Sequence, residues 1–256
     1  MTIVAAAKGR TIRVGLALPS FVEDPEIPIT VARAAEAAEL DGVFVYDHLF
    51  RGDPPDRRPA LECFALLGAV AAETSRIHVG TLVARASLRP AATLANSLAT
   101  AQRVSGGRVI AGIGAGDSQS RAENEAFGLD FGTLVDRVQA LHDAVRANAG
   151  NGYPVWVGGR AAQVREIVAI ADGWNAWGLD PQRFSEQAAL VRAVAPKAEL
   201  TWGGLARPLD EGAAGLADRV RAYVDAGATW IIVGPIDAGN PAHASVLGDV
   251  RARLNA

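Results

Sequence analysis

Cysteine is nearly missing from this chain. Its 256 residues hold one, Cys63, so intrachain disulfides, C-x-x-C redox pairs and thiolate zinc sites are excluded. Neither sign of charge dominates. Charged residues make up 21% and the net charge is -3, which fits neither a disordered charged tail nor the basic field that a nucleic-acid backbone requires. Long apolar runs are lacking too, since nothing approaches the roughly 18 consecutive residues of a membrane span. The first ten residues, MTIVAAAKGR, carry an apolar stretch too short for the core of an export signal, with no basic residue ahead of it. A soluble, cytoplasmic protein without nucleic-acid or membrane partners is expected.

Half of the chain is hydrophobic, and the arrangement of that half is informative. The length suits either one α/β barrel or two small domains. From residue 11 onward, short apolar runs rich in β-branched residues alternate with longer Ala/Leu/Glu/Arg segments of 3.6-residue spacing. The strand-like runs are Thr11–Leu18, Val43–Tyr46, Ile77–Val83, Val109–Ile113, Pro154–Val157, Trp174–Trp177, Leu200–Leu205 and Thr229–Val233. Most are almost wholly apolar, as parallel strands covered on both faces should be. Helices are expected over 29–40, 61–74, 90–104, 133–147, 161–171, 181–194, 213–226 and 241–254. Asp180 before Pro181 and Asn240 before Pro241 read as helix starts. Eight alternations make a (β/α)8 barrel, taken as one domain over 11–256 behind a tail of residues 1–10. The rival is a doubly wound sheet, supported by Gly112-Ile113-Gly114-Ala115-Gly116. That run lacks the third glycine of a dinucleotide fingerprint and follows the fourth strand, not the first.

A barrel carries its chemistry where its strands end at the C-terminal face. After the second strand stand Asp47 and His48, adjacent and therefore pointing apart: one can face the mouth while the other braces the loop. Histidine suits proton work near neutral pH; the ordinary alternative is an Asp cap and a surface His. After the third strand, Arg85 and Arg89 either hold an anion or are merely solvated. After the fourth, the glycine run lets a flat ligand approach and ends at Asp117, an acid–base candidate or a turn cap. After the fifth, Gly158-Gly159-Arg160 opens a helix, as phosphate cradles do, although plain turn chemistry gives the same letters. All five tryptophans lie on or next to strands five to eight, as core packing or as the wall of a planar-ligand site. His78, His142 and His243 read as structural, Cys63 as a mid-helix residue and no nucleophile, and no metal site is expected.

Together these loops resemble the luciferase-like superfamily of barrel oxidoreductases, especially the branch using the deazaflavin coenzyme F420. The landmarks are Val43–Phe50 (VFVYDHLF), Ile77–Val83 (IHVGTLV), Val104–Asp117 (VSGGRVIAGIGAGD), Glu125–Phe131 (EAFGLDF), Pro154–Gly159 (PVWVGG) and Ile170–Asn175 (IADGWN). The resemblance implies that Asp47 and His48 lie beside the reactive ring and that Asp117 is a proton donor to substrate or ring. It implies a ring over strands three and four, against Thr81, Leu82 and Val83 and against Gly114, Ala115 and Gly116. Leu82–Val83 falls where the family has a non-prolyl cis peptide. Gly158, Gly159 and Arg160 match the region receiving the cofactor's phosphate.

The chain also departs from the pattern. The stretch Arg137–Tyr153 is short where many relatives carry a long insertion before the fifth strand. The mouth is then open, or covered by the Arg51–Pro59 loop, or covered by a second subunit, as in a homodimer. Asp117 stands where some dehydrogenases have Glu. The expected activity is hydride transfer between F420 and a small organic substrate. The alternatives are an FMN-dependent two-component monooxygenase fed by a separate reductase, a barrel that carries cofactor without turnover, and a lyase or isomerase binding a sugar phosphate.

Overall fold

The computed structural model describes residues 10–52, 57–117 and 120–256. Eight strands close a barrel: β1 (Arg13–Ala17), β2 (Gly42–Val45), β3 (His78–Arg85), β4 (Val109–Gly114), β5 (Val155–Gly158), β6 (Gly173–Trp177), β7 (Glu199–Ala206) and β8 (Trp230–Pro235). Every neighbouring pair is parallel, and β1 pairs with both β2 and β8. Closure removes the open sheet and with it the doubly wound alternative. It also explains the unbroken apolar runs, since β2, β4 and β8 are buried at every position.

The lumen is filled by Phe44, Leu82, Ile110, Trp156, Trp230 and Ile232. Three large rings fit because glycines face them. A Cβ on Gly15 would come 2.9 Å from the Phe44 ring, and one on Gly173 would come 2.6 Å from that of Trp156. The tryptophans therefore divide: Trp156 and Trp230 fill the lumen, Trp174 and Trp202 pack under the outer helices, and Trp177 stands 38% exposed.

Around the barrel lie α1 (Glu26–Ala37), α2 (Cys63–Glu73), α3 (Ala91–Val104), α4 (Ser120–Ala126), α5 (Leu134–Asn148), α6 (Ala161–Val168), α7 (Pro181–Val194), α8 (Pro208–Asp225) and α9 (Ala242–Leu254). Helix α1 starts three residues before the expected position, because Pro28 lies in the first turn, where no donor is missed. Helix α8 is broken at Gly212, whose φ of 67° is left-handed, so its regular part begins where the periodicity places it. Asp180 caps α7 by accepting from Arg183 N–H. Asn240 caps α9 as expected, its side chain accepting from Ala242 N–H, and Pro241 after it already has helical backbone angles. Cys63 is the first residue of α2, not a middle one; burial pushes its thiol well up, so it stays a poor nucleophile.

The N-terminal face of the barrel is tied by polar latches. Asp41 accepts from Val14 N–H and pairs with Arg251 of α9, joining the first and last units. Arg108 donates to Ala71 and Thr74 carbonyls and so caps the end of α2. Glu36 accepts from the N–H groups of Ser75, Arg76 and Ile77 at 2.8, 2.6 and 3.0 Å. Burial pushes this carboxyl up, but the three donors outweigh it and hold it at about 2, against 4.5 for the free side chain. The stabilisation is therefore complete above about pH 4.5 and is lost as the pH falls toward 2. Glu36→Gln should flatten the acid limb of a Tm-against-pH curve between about pH 4.5 and 3. An acid limb as steep as that of the wild type would show that other groups govern it.

Candidate active site

The strand ends surround a cavity of about 1040 Å³ at the C-terminal face. His48 lines it from the loop after β2, its side chain one-third exposed. Nδ1 of His48 lies 2.7 Å from Oε1 of Glu123, and Oε2 of Glu123 accepts from Leu49 N–H at 2.7 Å. Burial pushes the Glu123 carboxyl up, but the His48 and Leu49 hydrogen bonds and the Arg85 charge leave it below its ordinary value. An ionised carboxylate only accepts, so Nδ1 carries the hydrogen. Nε2 has no protein partner among the described residues and is the nitrogen left for a ligand.

Glu123 is the residue that the sequence pattern misses. It lies on α4, a seven-residue helix absent from the expected elements, whose buried residues are Ser120, Glu123 and Asn124. A helix that buries polar side chains carries no apolar stripe to detect. Its one cue is position, directly before the EAFGLDF landmark.

Asp47 also lines the cavity, but it is 2% exposed and its carboxylate is committed to Arg85 and Arg89. It accepts from Arg85 N–H at 2.8 Å and is gripped by Arg89 at 2.6 and 3.0 Å. Arg89 also reaches Glu62, while Arg85 donates to the Asp47 carbonyl, Asn124 and Glu123. Neither arginine is solvated and neither is free for an anion. Both serve to hold the His48–Glu123 loop pair in place.

The peptide between Leu82 and Val83 is cis, and both residues line the cavity. The register between β3 and β4 shifts there, between Thr81 and Ala84. Thr81 is fully buried and donates to the Gly112 carbonyl; it is not part of the wall. The glycines of β4 and β5 line the cavity and have a second, steric reason beside the ligand access expected of them. A Cβ on Gly114 would come 2.4 Å, and one on Gly158 2.6 Å, from the Val83 side chain. They make room for Val83, which with Leu82, Gly114, Ala115 and Gly116 gives a mostly apolar floor.

Asp117, exposed at the rim, accepts from the N–H and hydroxyl of Ser120 and so caps the start of α4. Ser118 lies outside the described residues. Gly159 has a φ of 143°, and Arg160 is the cap residue of α6, exposed and lining the cavity. The first N–H of α6, that of Ala161, is already taken by Gln187 at 2.6 Å. Arg137 contributes a second cation: it is 8% exposed, lies over the Phe131 ring, and its Nε has no partner. Phe50–Arg51 pairs with Arg58–Pro59 in a short antiparallel ladder, so the loop considered as a cover is a hairpin base. Residues 53–56 lie outside the described residues. His78 bonds Arg108 O, His142 lies beside Asp143, and His243 bonds Asp237 O. Among the described residues no His/Cys/Asp/Glu cluster could hold a metal, and no helix is long and apolar enough to cross a membrane.

Residues 11–152 match the family model described as luciferase-like monooxygenase. The chain belongs to the luciferase-like monooxygenase family. It is 26% identical over 248 residues to an uncharacterized protein of Mycobacterium tuberculosis, covering 80% of this chain and 84% of that one. It is 35% identical over 113 residues to the F420-dependent glucose-6-phosphate dehydrogenase of Kineococcus radiotolerans, which is 44% of this chain and 32% of that enzyme. Among solved structures, an F420-dependent secondary alcohol dehydrogenase in complex with an F420–acetone adduct superposes with a TM-score of 0.79. That match is 14% identical and covers 94% of this chain and 98% of the other. At that identity it establishes the shared barrel.

Proposed function

We propose that this luciferase-like barrel is an F420-dependent oxidoreductase acting on a small alcohol or carbonyl compound. The observation that carries the reading is the buried Glu123 holding Nδ1 of His48, which leaves Nε2 as a proton acceptor in a large cavity. The partial likeness to F420-dependent glucose-6-phosphate dehydrogenase supports it.

The residues fit a deazaflavin cofactor. The volume is ample for a dinucleotide-sized ligand. Leu82, Val83 and Gly114–Gly116 offer a mostly apolar face for a ring, and the cations Arg160 and Arg137, both lining the cavity, suit an anionic tail. When bound, the deazaflavin supplies the hydride acceptor or donor. The protein does the rest. In the oxidising direction the hydride of the alcohol carbon would go to the bound deazaflavin, while the hydroxyl proton passes to Nε2 of His48. The Glu123 carboxylate offsets the resulting imidazolium charge and fixes the ring's orientation. Arg85 and the Leu49 N–H hold that carboxylate still. Asp117 stands at the rim as a second acid–base group, and Asp47 acts on His48 through the loop. Reduction of a carbonyl runs the same proton path backward.

A side-by-side fluorescence titration with oxidised F420 and with FMN tests the cofactor. Tighter binding of F420 is expected. Preference for FMN would move the chain to the oxygen-using, reductase-fed alternative. Binding of neither below ~100 μM, about −5.5 kcal/mol, would overturn the cofactor reading altogether.

A further inference from the structure

The cavity is divided by chemistry. Its β3–β5 side carries the apolar floor, with Arg137 and Arg160 near it. The opposite side is aromatic: Phe21 after β1, Tyr46 after β2 and Trp177 at the end of β6, joined by Leu205 of β7. Tyr46 stacks on Phe21 at 6.0 Å and meets Trp177 edge-on at 5.8 Å; Phe21 lies 5.6 Å from the His48 ring.

The strands are cut to seat these rings. A Cβ on Gly203 would come 2.4 Å from Trp177, and one on Gly234 would come 2.9 Å from the Tyr46 hydroxyl. Side chains at either position would push the rings into the cavity. Trp177 and Leu205 nevertheless remain 38% and 49% exposed, whereas the other four tryptophans are within 3% of full burial. Neither the Trp177 indole N–H nor the Tyr46 hydroxyl has a hydrogen-bond partner among the described residues. Burial raises the Tyr46 phenol, keeping it a neutral donor. Arg51, the cation on this side among the described lining residues, lies over the Phe21 ring at 5.4 Å. A seated, part-exposed apolar wall with a few unused polar atoms is the lining of a site for an apolar ligand.

We propose that this aromatic chamber selects uncharged substrates with a planar or alicyclic apolar body and one alcohol or carbonyl group. The body lies on Trp177 and Leu205, and the oxygen turns to His48. This rests on the reading of the site as a hydride-transfer centre and narrows its substrate class away from sugar phosphates, whose many hydroxyls this wall does not serve.

The test is a fluorescence and thermal-shift titration of the full-length protein with acetophenone and with glucose 6-phosphate, with and without F420. Acetophenone should bind the wild type, and Trp177→Ala should weaken it about tenfold or more, as loss of an aromatic platform does. Trp177→Phe should restore most of the affinity. Leu205→Glu, at an exposed mouth position, should weaken acetophenone without lowering Tm. F420 affinity should stay within about twofold throughout, which separates this wall from the cofactor floor. Acetophenone affinity indifferent to both Trp177→Ala and Leu205→Glu, or tighter binding of glucose 6-phosphate, would overturn the proposal. If F420 binds and acetophenone does not, the chamber falls and the cofactor reading stands. If acetophenone binds through Trp177 but F420 does not bind, the chamber stands and the cofactor reading falls.

Discussion

His48→Asn is expected to lower kcat by about 10²- to 10⁴-fold, the range for removing a positioned general acid–base group. Affinity for F420 should change no more than a few-fold, because the floor at Leu82, Val83 and Gly114–Gly116 and the cations Arg137 and Arg160 are untouched. Asparagine retains a hydrogen-bonding group but cannot carry the proton. Glu123→Gln should act on the same step less severely, because His48 remains while its orientation and its counter-charge are lost. Steady-state kinetics beside a cofactor titration separates the roles. A loss confined to F420 affinity, with kcat intact, would mark a carrier barrel and remove the enzymatic reading. A Glu123→Gln variant with unchanged kcat would show that Glu123 holds the loop and nothing more.

Asp47→Ala is expected to cost about 3 kcal/mol of stability, near the lower end for breaking a buried ion pair. Arg89 would keep Glu62, which holds the loss down, but would lose a carboxylate bound at two points. The Arg85 N–H would lose its acceptor as well. Urea unfolding should show a lower midpoint with little change in slope. Asp47→Asn, which retains one acceptor, should fall between Asp47→Ala and the wild type. The Asp47→Ala protein, assayed where it is still folded, should lose kcat together with the His48–Glu123 geometry. An Asp47→Ala midpoint equal to the wild type's would overturn the bracing role and return Asp47 to the reacting groups.

These two predictions fall on adjacent residues that the sequence offers as a pair. Alternation along the backbone already implies that one faces the mouth and the other the loop. The structure decides which: Asp47 turns to Arg85 and Arg89, and His48 turns to Glu123. The arginines show why one chain of letters could not settle this. Arg85 and Arg89 read equally well as an anion site or as solvated side chains. They are neither, because their partners come from 27 to 42 residues away. Glu123 has the same cause, being 75 residues from His48 on a helix without an apolar stripe.

What the amino-acid sequence determined by itself is the architecture. Burial on both faces of a closed parallel sheet writes unbroken apolar strands, and helices packed on one side write a 3.6-residue stripe, so order, number and approximate bounds of the barrel units are local properties. The pairing of side chains at the mouth is not local. Which carboxylate braces and which serves His48, that the β4 and β5 glycines yield to Val83, and that Gly203 and Gly234 yield to an exposed aromatic wall were decided by tertiary contact alone. The physical reason is that a barrel brings the ends of eight distant strands to one rim, where charge partners and steric clearances depend on positions no stretch of the chain contains.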